Sequence, residues 1–150
     1  LKAYDWVLNM KIKQYAGDIS PLNAWNNLKE DVDAVLIDVR TDAEWEYVGI
    51  PDLSSLNKKP ILVAWVSYPG NRVNADFINH IRALGITADQ KIFCLCRSGQ
   101  RSVAAAIALK EAGFNKAYNI LEGFEGDKNK KGQRGLLGGW KMRGLPWGQK

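Results

Sequence analysis

Lys91-Ile92-Phe93-Cys94-Leu95-Cys96-Arg97-Ser98-Gly99-Gln100-Arg101-Ser102, running on to Gly113, is the stretch that decides how this chain folds. Lys91 to Leu95 is a short apolar run of the buried-strand type. Ser102 to Gly113 carries apolar and Ala residues at helical spacing and closes on Gly, as a helix C-terminus prefers. Strand, loop and helix in that order are the repeating unit of an α/β sheet. Cys96 stands at the junction. There it faces the free N–H groups and positive dipole end of a helix start, together with the guanidinium groups of Arg97 and Arg101. Such surroundings favour the thiolate, so Cys96 is the candidate nucleophile. The N–H groups from Ser98 through Gly99, Gln100 and Arg101 to Ser102 are its candidate cradle, and Ser98 or Ser102 can add a hydroxyl bond.

Outward from this unit, strand-like and helix-like segments alternate. Ser20-Pro21 supplies an N-cap and a first-turn proline ahead of Leu22, Trp25 and Leu28, which predicts a helix. Ala34 to Asp38 and Ile61 to Val66 read as buried parallel strands. Asn71 to Leu84 reads as an amphipathic helix with Phe77, Ile78 and Ile81 inward and Gly85 at its end, and Lys116 to Leu121 supplies a further strand. In sheets of this kind ligands bind beyond the carboxyl ends of the strands, where Cys96 falls.

A chain of 150 residues with 46% hydrophobic content is sized for one domain. Its longest wholly apolar run, Ile61 to Val66, is far short of the ~18 residues that suggest a membrane span. The formal charge of +5 comes from Lys and Arg scattered among acids, which points to small anionic substrates and not to nucleic acid. Cys94 and Cys96 sit two apart on one inferred strand, with Cα atoms about 6.5 Å apart, at the far edge of disulfide reach. A reducing compartment, the cytoplasm, fits better, and Cys94 reads as a core residue. The single His, His80, lies in an apolar helical pattern and reads as packing. One His and two adjacent Cys make no metal set, so neither a metal nor another cofactor is expected.

The hexapeptide Cys96-Arg97-Ser98-Gly99-Gln100-Arg101 resembles the active-site loop of the rhodanese family of sulfurtransferases. Cysteine phosphatases share the thiolate cradle but place five residues between Cys and Arg, usually after a His; here four intervene and Leu95 stands in the His position. Two further stretches are similar to the same family. Asp38-Val39-Arg40, Glu44-Trp45 and Gly49-Ile50-Pro51 resemble its early signature, although the usual His between the Gly and the Ile is absent. Arg40 and Glu44 are spaced to pair across one helical turn, Asp38 to accept hydrogen bonds at a strand end, and all three are expected to be structural. Gly113-Phe114, Ala117-Tyr118-Asn119-Ile120-Leu121 and Glu122-Gly123-Phe124 resemble the strand and glycine turn after the active helix. Residues 125–137, polar, Gly-rich and basic, are an insertion before Gly138-Gly139-Trp140, expected to form a mobile loop beside the site.

The resemblance covers Gly17 to Trp147 and implies a single rhodanese-like domain over 17–150: an α/β fold with a central, mainly parallel sheet flanked by helices on both faces. Residues 1–16 form an N-terminal extension in this reading, in which Met10-Lys11-Ile12 looks like a translation start and 1–9 like upstream or added sequence. The activity implied is transfer of a sulfane sulfur from an anionic donor such as thiosulfate, through a Cys96 persulfide, to cyanide or a thiol. Arg97 and Arg101 would balance the charge. The alternatives are a sulfur-carrier or binding module without turnover, and a cysteine phosphatase or arsenate reductase. Donor, acceptor and any acceptor protein are not written in the sequence.

Overall fold

Val35-Leu36-Ile37 and Ile92-Phe93-Cys94-Leu95 are apolar without alternation, the pattern of strands covered on both faces, and they pair at the centre of a parallel sheet. The computed structural model describes residues 14–67 and 69–149; the expected start at Met10 and most of the N-terminal extension lie outside these. In chain order the strands are β1 (Gly17–Ile19), β2 (Val35–Asp38), β3 (Ile50–Pro51), β4 (Ile61–Leu62), β5 (Val66–Ser67), β6 (Arg72–Val73), β7 (Ile92–Leu95), β8 (Ala117–Ile120) and β9 (Trp147–Gly148). The α-helices are α1 (Pro21–Glu30), α2 (Asp42–Tyr47), α3 (Phe77–Ala83) and α4 (Arg101–Glu111).

The main sheet has the order β1-β8-β7-β2-β4, with every pairing parallel. The chain moves outward from β2 to β4 and returns to β7 on the other side of β2. Winding therefore reverses between β2 and β7, and the crevice beyond their carboxyl ends is where such sheets bind ligands. One face packs Ile37, Ile92, Cys94 and Ala117 against Phe77 and Ile81 of α3 and Ala105, Ala106 and Leu109 of α4. On the other face Leu36, Phe93, Leu95 and Ile120 meet Ala24 and Leu28 of α1, with Leu53, Phe124 and Trp140. The expected α/β architecture with helices on both faces is present.

The Ser20 cap forms as expected, its hydroxyl accepting the Asn23 N–H at 3.1 Å. Two predicted elements differ. Ile61 to Val66 is not one buried strand: only Ile61–Leu62 joins the sheet, as its edge, and Val66–Ser67 turns away into a hairpin with β6. The predicted helix from Asn71 begins only at Phe77. Asn71 has a positive φ of 50°, β6 occupies 72–73, and the Asn74 side chain accepts the Asp76 N–H, holding a turn ahead of the helix. Among the described residues no helix is long and apolar enough to cross a membrane.

Candidate active site

Cys96 follows β7 directly, and its burial, 1% exposed, leaves the sulfur at the floor of a pocket of about 570 Å³. The walls come from the loop (Arg97, Ser98, Gln100, Arg101), from Thr41 and Glu44 around α2, and from Val66 and Asn71 of the hairpin. Gly99 turns the loop with φ of +106°, a left-handed value that suits glycine, and its N–H points back to Cys96 Sγ at 3.1 Å. Gln100 gives α4 no side-chain cap, so the first turn of this helix of 11 residues keeps N–H groups free for an anion. Of the two loop serines, Ser102 reaches the sulfur, Oγ to Sγ 3.1 Å.

The arginines divide. The Arg97 side chain is exposed, while its carbonyl accepts the N–H groups of Glu125 and Gly126 at 3.0 and 3.1 Å. Arg101 makes a two-pronged ion pair with Glu44, Nη1 to Oε1 at 2.6 Å and Nη2 to Oε2 at 2.9 Å. The predicted Arg40–Glu44 pairing is therefore corrected. Thr41 and Glu44 form a reciprocal cap that starts α2 at Asp42, which turns the Glu44 carboxylate toward the loop. Burial works against the Glu44 carboxylate, but Arg101's hydrogen bonds and charge, helped by the Thr41 N–H and by Arg40, hold its pKa below the ordinary range.

Arg40 instead turns back to Asp38. Nε and Nη2 reach the two carboxylate oxygens at 2.9 and 2.6 Å, Nη2 also donates to the Gly49 carbonyl at 2.7 Å, and both side chains are fully buried. The guanidinium carbon lies 4.2 Å from the Phe124 ring centroid. These bonds tie Asp38 and Arg40 to each other and to the segment ahead of β3. Cys94 lies wholly buried in β7, and that burial pushes its thiol far above the usual range.

The turn after β8 locks onto the loop. Phe124 N–H donates to the Cys96 carbonyl at 2.8 Å, and a Cβ added to Gly123 would lie 2.5 Å from that oxygen and from the Arg97 carbonyl carbon. Segment 125–137 is a series of hydrogen-bonded turns: Gly135 N–H to the Glu125 carbonyl, Arg134 to the Gly126 carbonyl, and Asn129 Oδ1 accepting from Lys131 and Gln133.

Asn119, Asp18 and Tyr15 also belong to the site, although sequence reasoning passed over them. Asn119 Oδ1 accepts from Ser102 Oγ at 2.5 Å, and its Nδ2 donates to Asp18 Oδ1 at 2.9 Å, which also accepts from Tyr15 at 2.8 Å. The available signal was an Asn inside an otherwise apolar strand, Ala117-Tyr118-Asn119-Ile120. A second cavity, of about 490 Å³ between Trp45, Leu53 and Gln149, is lined by no cysteine. Among the described residues no three His, Cys, Asp or Glu side chains are grouped to hold a metal ion.

Known proteins share this architecture. A family model described as the STR4 middle domain matches residues 16–150. The crystal structure of Rv0390 from M. tuberculosis is 46% identical, with a TM-score of 0.83, covering 91% of this chain and 99% of that one. Rhodanese-like domain-containing protein 4, chloroplastic, of Arabidopsis thaliana is 29% identical over 145 residues, 94% of this chain but 27% of that longer protein. The polysulfide-sulfur transferase homodimer of Wolinella succinogenes, at 22% identity and a TM-score of 0.60, covers 99% of this chain and 91% of its own and shares the fold.

Proposed function

This chain belongs to the STR4 middle domain family and has the rhodanese-like fold, and from that premise we propose that it is a sulfurtransferase working through a persulfide on Cys96. The observation that carries the proposal is the sulfur itself. Cys96 Sγ lies at the pocket floor, receives the Gly99 N–H at 3.1 Å, and sits beside a helix start with no side-chain cap. With a donor such as thiosulfate, the thiolate attacks the outer sulfur. A Cys96 S–S bond forms, the donor's own S–S bond breaks, and sulfite leaves with the electron pair. The persulfide anion then occupies the amide cradle of Gly99 to Ser102 until cyanide or a thiol attacks its outer sulfur and returns Cys96 as thiolate. The exposed Arg97 at the pocket wall meets the charged end of the donor, while Arg101, held by Glu44, contributes its charge from a fixed position. The near-complete burial of Cys96 suits a donor that presents a single protruding sulfur.

Intact mass tests this directly. Thiosulfate is expected to add one sulfur, about 32 Da, and cyanide or dithiothreitol to remove it. Cys96→Ala should abolish the adduct. Cys94→Ala should keep it, because the buried thiol of Cys94 is held protonated. An adduct that persists in Cys96→Ala would overturn the assignment.

A further inference from the structure

The bridge between Cys96 and Ser102 has one proton to place, and the residues behind the serine decide where it goes. Asn119 stands in register with Asp18 on one side and Cys94 on the other, so its side chain lies on the sheet face that α4 covers. Asp18 Oδ1 takes bonds from Tyr15 and from Asn119 Nδ2 at 2.8 and 2.9 Å. A carboxylate only accepts, so the NH₂ end of the Asn119 amide is committed to Asp18 and its oxygen is turned to Ser102. An amide oxygen also only accepts, so at 2.5 Å the single Ser102 proton goes to Asn119. Ser102 is left with lone pairs facing the sulfur 3.1 Å away. The sulfur–oxygen bond then exists only while Cys96 keeps its own proton.

We propose that Asn119, oriented by Asp18, is a positioning residue that holds the Ser102 hydroxyl as an acceptor and so retains Cys96 as a thiol in the resting site. This rests on Cys96 being the nucleophile of the function proposed above. Activation then has a defined sequence. The Cys96 S–H bond breaks with its proton going to solvent, which ends the S–H···O bond to Ser102. The Ser102 hydroxyl then rotates from Asn119 Oδ1 to the thiolate, so that an O–H···O and an S–H···O bond give way to one O–H···S⁻ bond and Asn119 Oδ1 loses its Ser102 donor. The remaining charges around the sulfur are fixed. Arg101 is paired with Glu44, Asp38 with Arg40, Arg97 is exposed, and Cys94 and Tyr15 stay protonated, Tyr15 because burial and its bond to Asp18 push it up to about 12. The hydroxyl is the movable dipole, and Asn119 sets its resting direction.

The test is the rate of Cys96 alkylation by iodoacetamide across pH 5 to 10, read by intact mass on the full chain with Cys94 replaced by Ala. In Asn119→Leu, similar in size but with no acceptor, Ser102 is free to donate to the thiolate. The half-maximal pH should fall by about one unit, roughly the strength of a hydrogen bond to a charged group. Asp18→Ala, at an exposed residue, frees the amide to turn and should move the midpoint the same way by less; it carries the test if Asn119→Leu fails to fold. In a Ser102→Ala background, Asn119→Leu should shift nothing further. Unchanged or raised midpoints in the folded variants would overturn the proposal, as would an equal shift without Ser102. Thiosulfate loading of the unaltered protein is scored separately: its absence would remove the sulfurtransferase reading while the alkylation midpoints still decide the role of Asn119.

Discussion

Glu44 offsets part of the charge that Arg101, in the proposed function, presents to an anionic donor. Its two oxygens occupy both Nη atoms of Arg101, and the pair is less than a quarter exposed on either side, so solvent screens it only in part. Glu44→Gln keeps the reciprocal cap of α2, which accepts Gln as well as Glu, and removes the negative charge together with the oxygen that accepts from Arg101 Nη2. The expected result is a rise of about fivefold in kcat/KM for thiosulfate at low salt, steeper in its salt dependence than the parent, because one charge near a partly screened site is worth about 1 kcal/mol. A folded variant with unchanged or lower kcat/KM would mean that the donor does not sense this charge. The same substitution has a pH signature. The Glu44 pKa is lowered in the fold, so its ion pair adds stability above the ordinary value of 4.5, and that contribution is lost as pH falls through the lower folded value. The difference in unfolding free energy between parent and variant should therefore be full at pH 7 and shrink progressively below pH 4.5. A difference independent of pH would assign it to packing.

At the scale of elements, the site is a contact between two turns. The loop opening α4 and the turn closing β8 meet so closely that Gly123, with a left-handed φ of 64°, has no room for a Cβ against the backbone of Cys96 and Arg97. Gly123→Ala must move one turn relative to the other. Displacement of an aligned reacting group by ~1 Å can cost ~100-fold, so sulfur loading should fall by about that factor in protein verified as folded by thermal unfolding. Loading at the parent's rate would show that the two turns adjust independently. This contact also marks the limit of what the sequence disclosed. The strand, loop and helix around Cys96 were legible because an unbroken apolar run, a Gly-bearing loop and an Ala-rich periodic segment follow each other without conflict. Ile61 to Val66 misled because an apolar run specifies burial and not pairing: Val63 and Val66 are buried, yet the chain leaves the sheet between β4 and β5. The partner of Glu44 was hidden for a related reason. Spacing along one helix suggested Arg40, whereas the true partner, Arg101, arrives from an element 57 residues away. The β3–β9 pairing, which joins Ile50–Pro51 to Trp147–Gly148, left no local pattern at all.

For the molecule as a whole, reversal of winding between β2 and β7 brings together stretches far apart in the chain, and Arg40 is the knot between them. From the end of β2 it binds Asp38, the Gly49 carbonyl ahead of β3, and the face of Phe124, whose N–H in turn holds the Cys96 carbonyl. A fully buried ion pair is weak evidence for stability on its own, since desolvation offsets most of its attraction, and here Nη1 has no partner among the described residues. Its geometry has a different use. One planar cation sets the spacing of three backbone segments that converge on Cys96. Arg40→Lys, which keeps the charge but lacks the fork, should lose about 3 kcal/mol and lower Tm by roughly 6 to 12 °C for a domain of this size. Replacing both members, Asp38→Leu with Arg40→Met, removes the buried charges together and should recover much of that stability. Sulfur loading should not recover with it, because neither Leu nor Met holds the Gly49 carbonyl. The two measurements therefore separate a tie from a prop: loading restored in step with Tm would make Arg40 a stabiliser of the fold alone, while stability regained without loading identifies it as the residue that registers the pocket walls against Cys96.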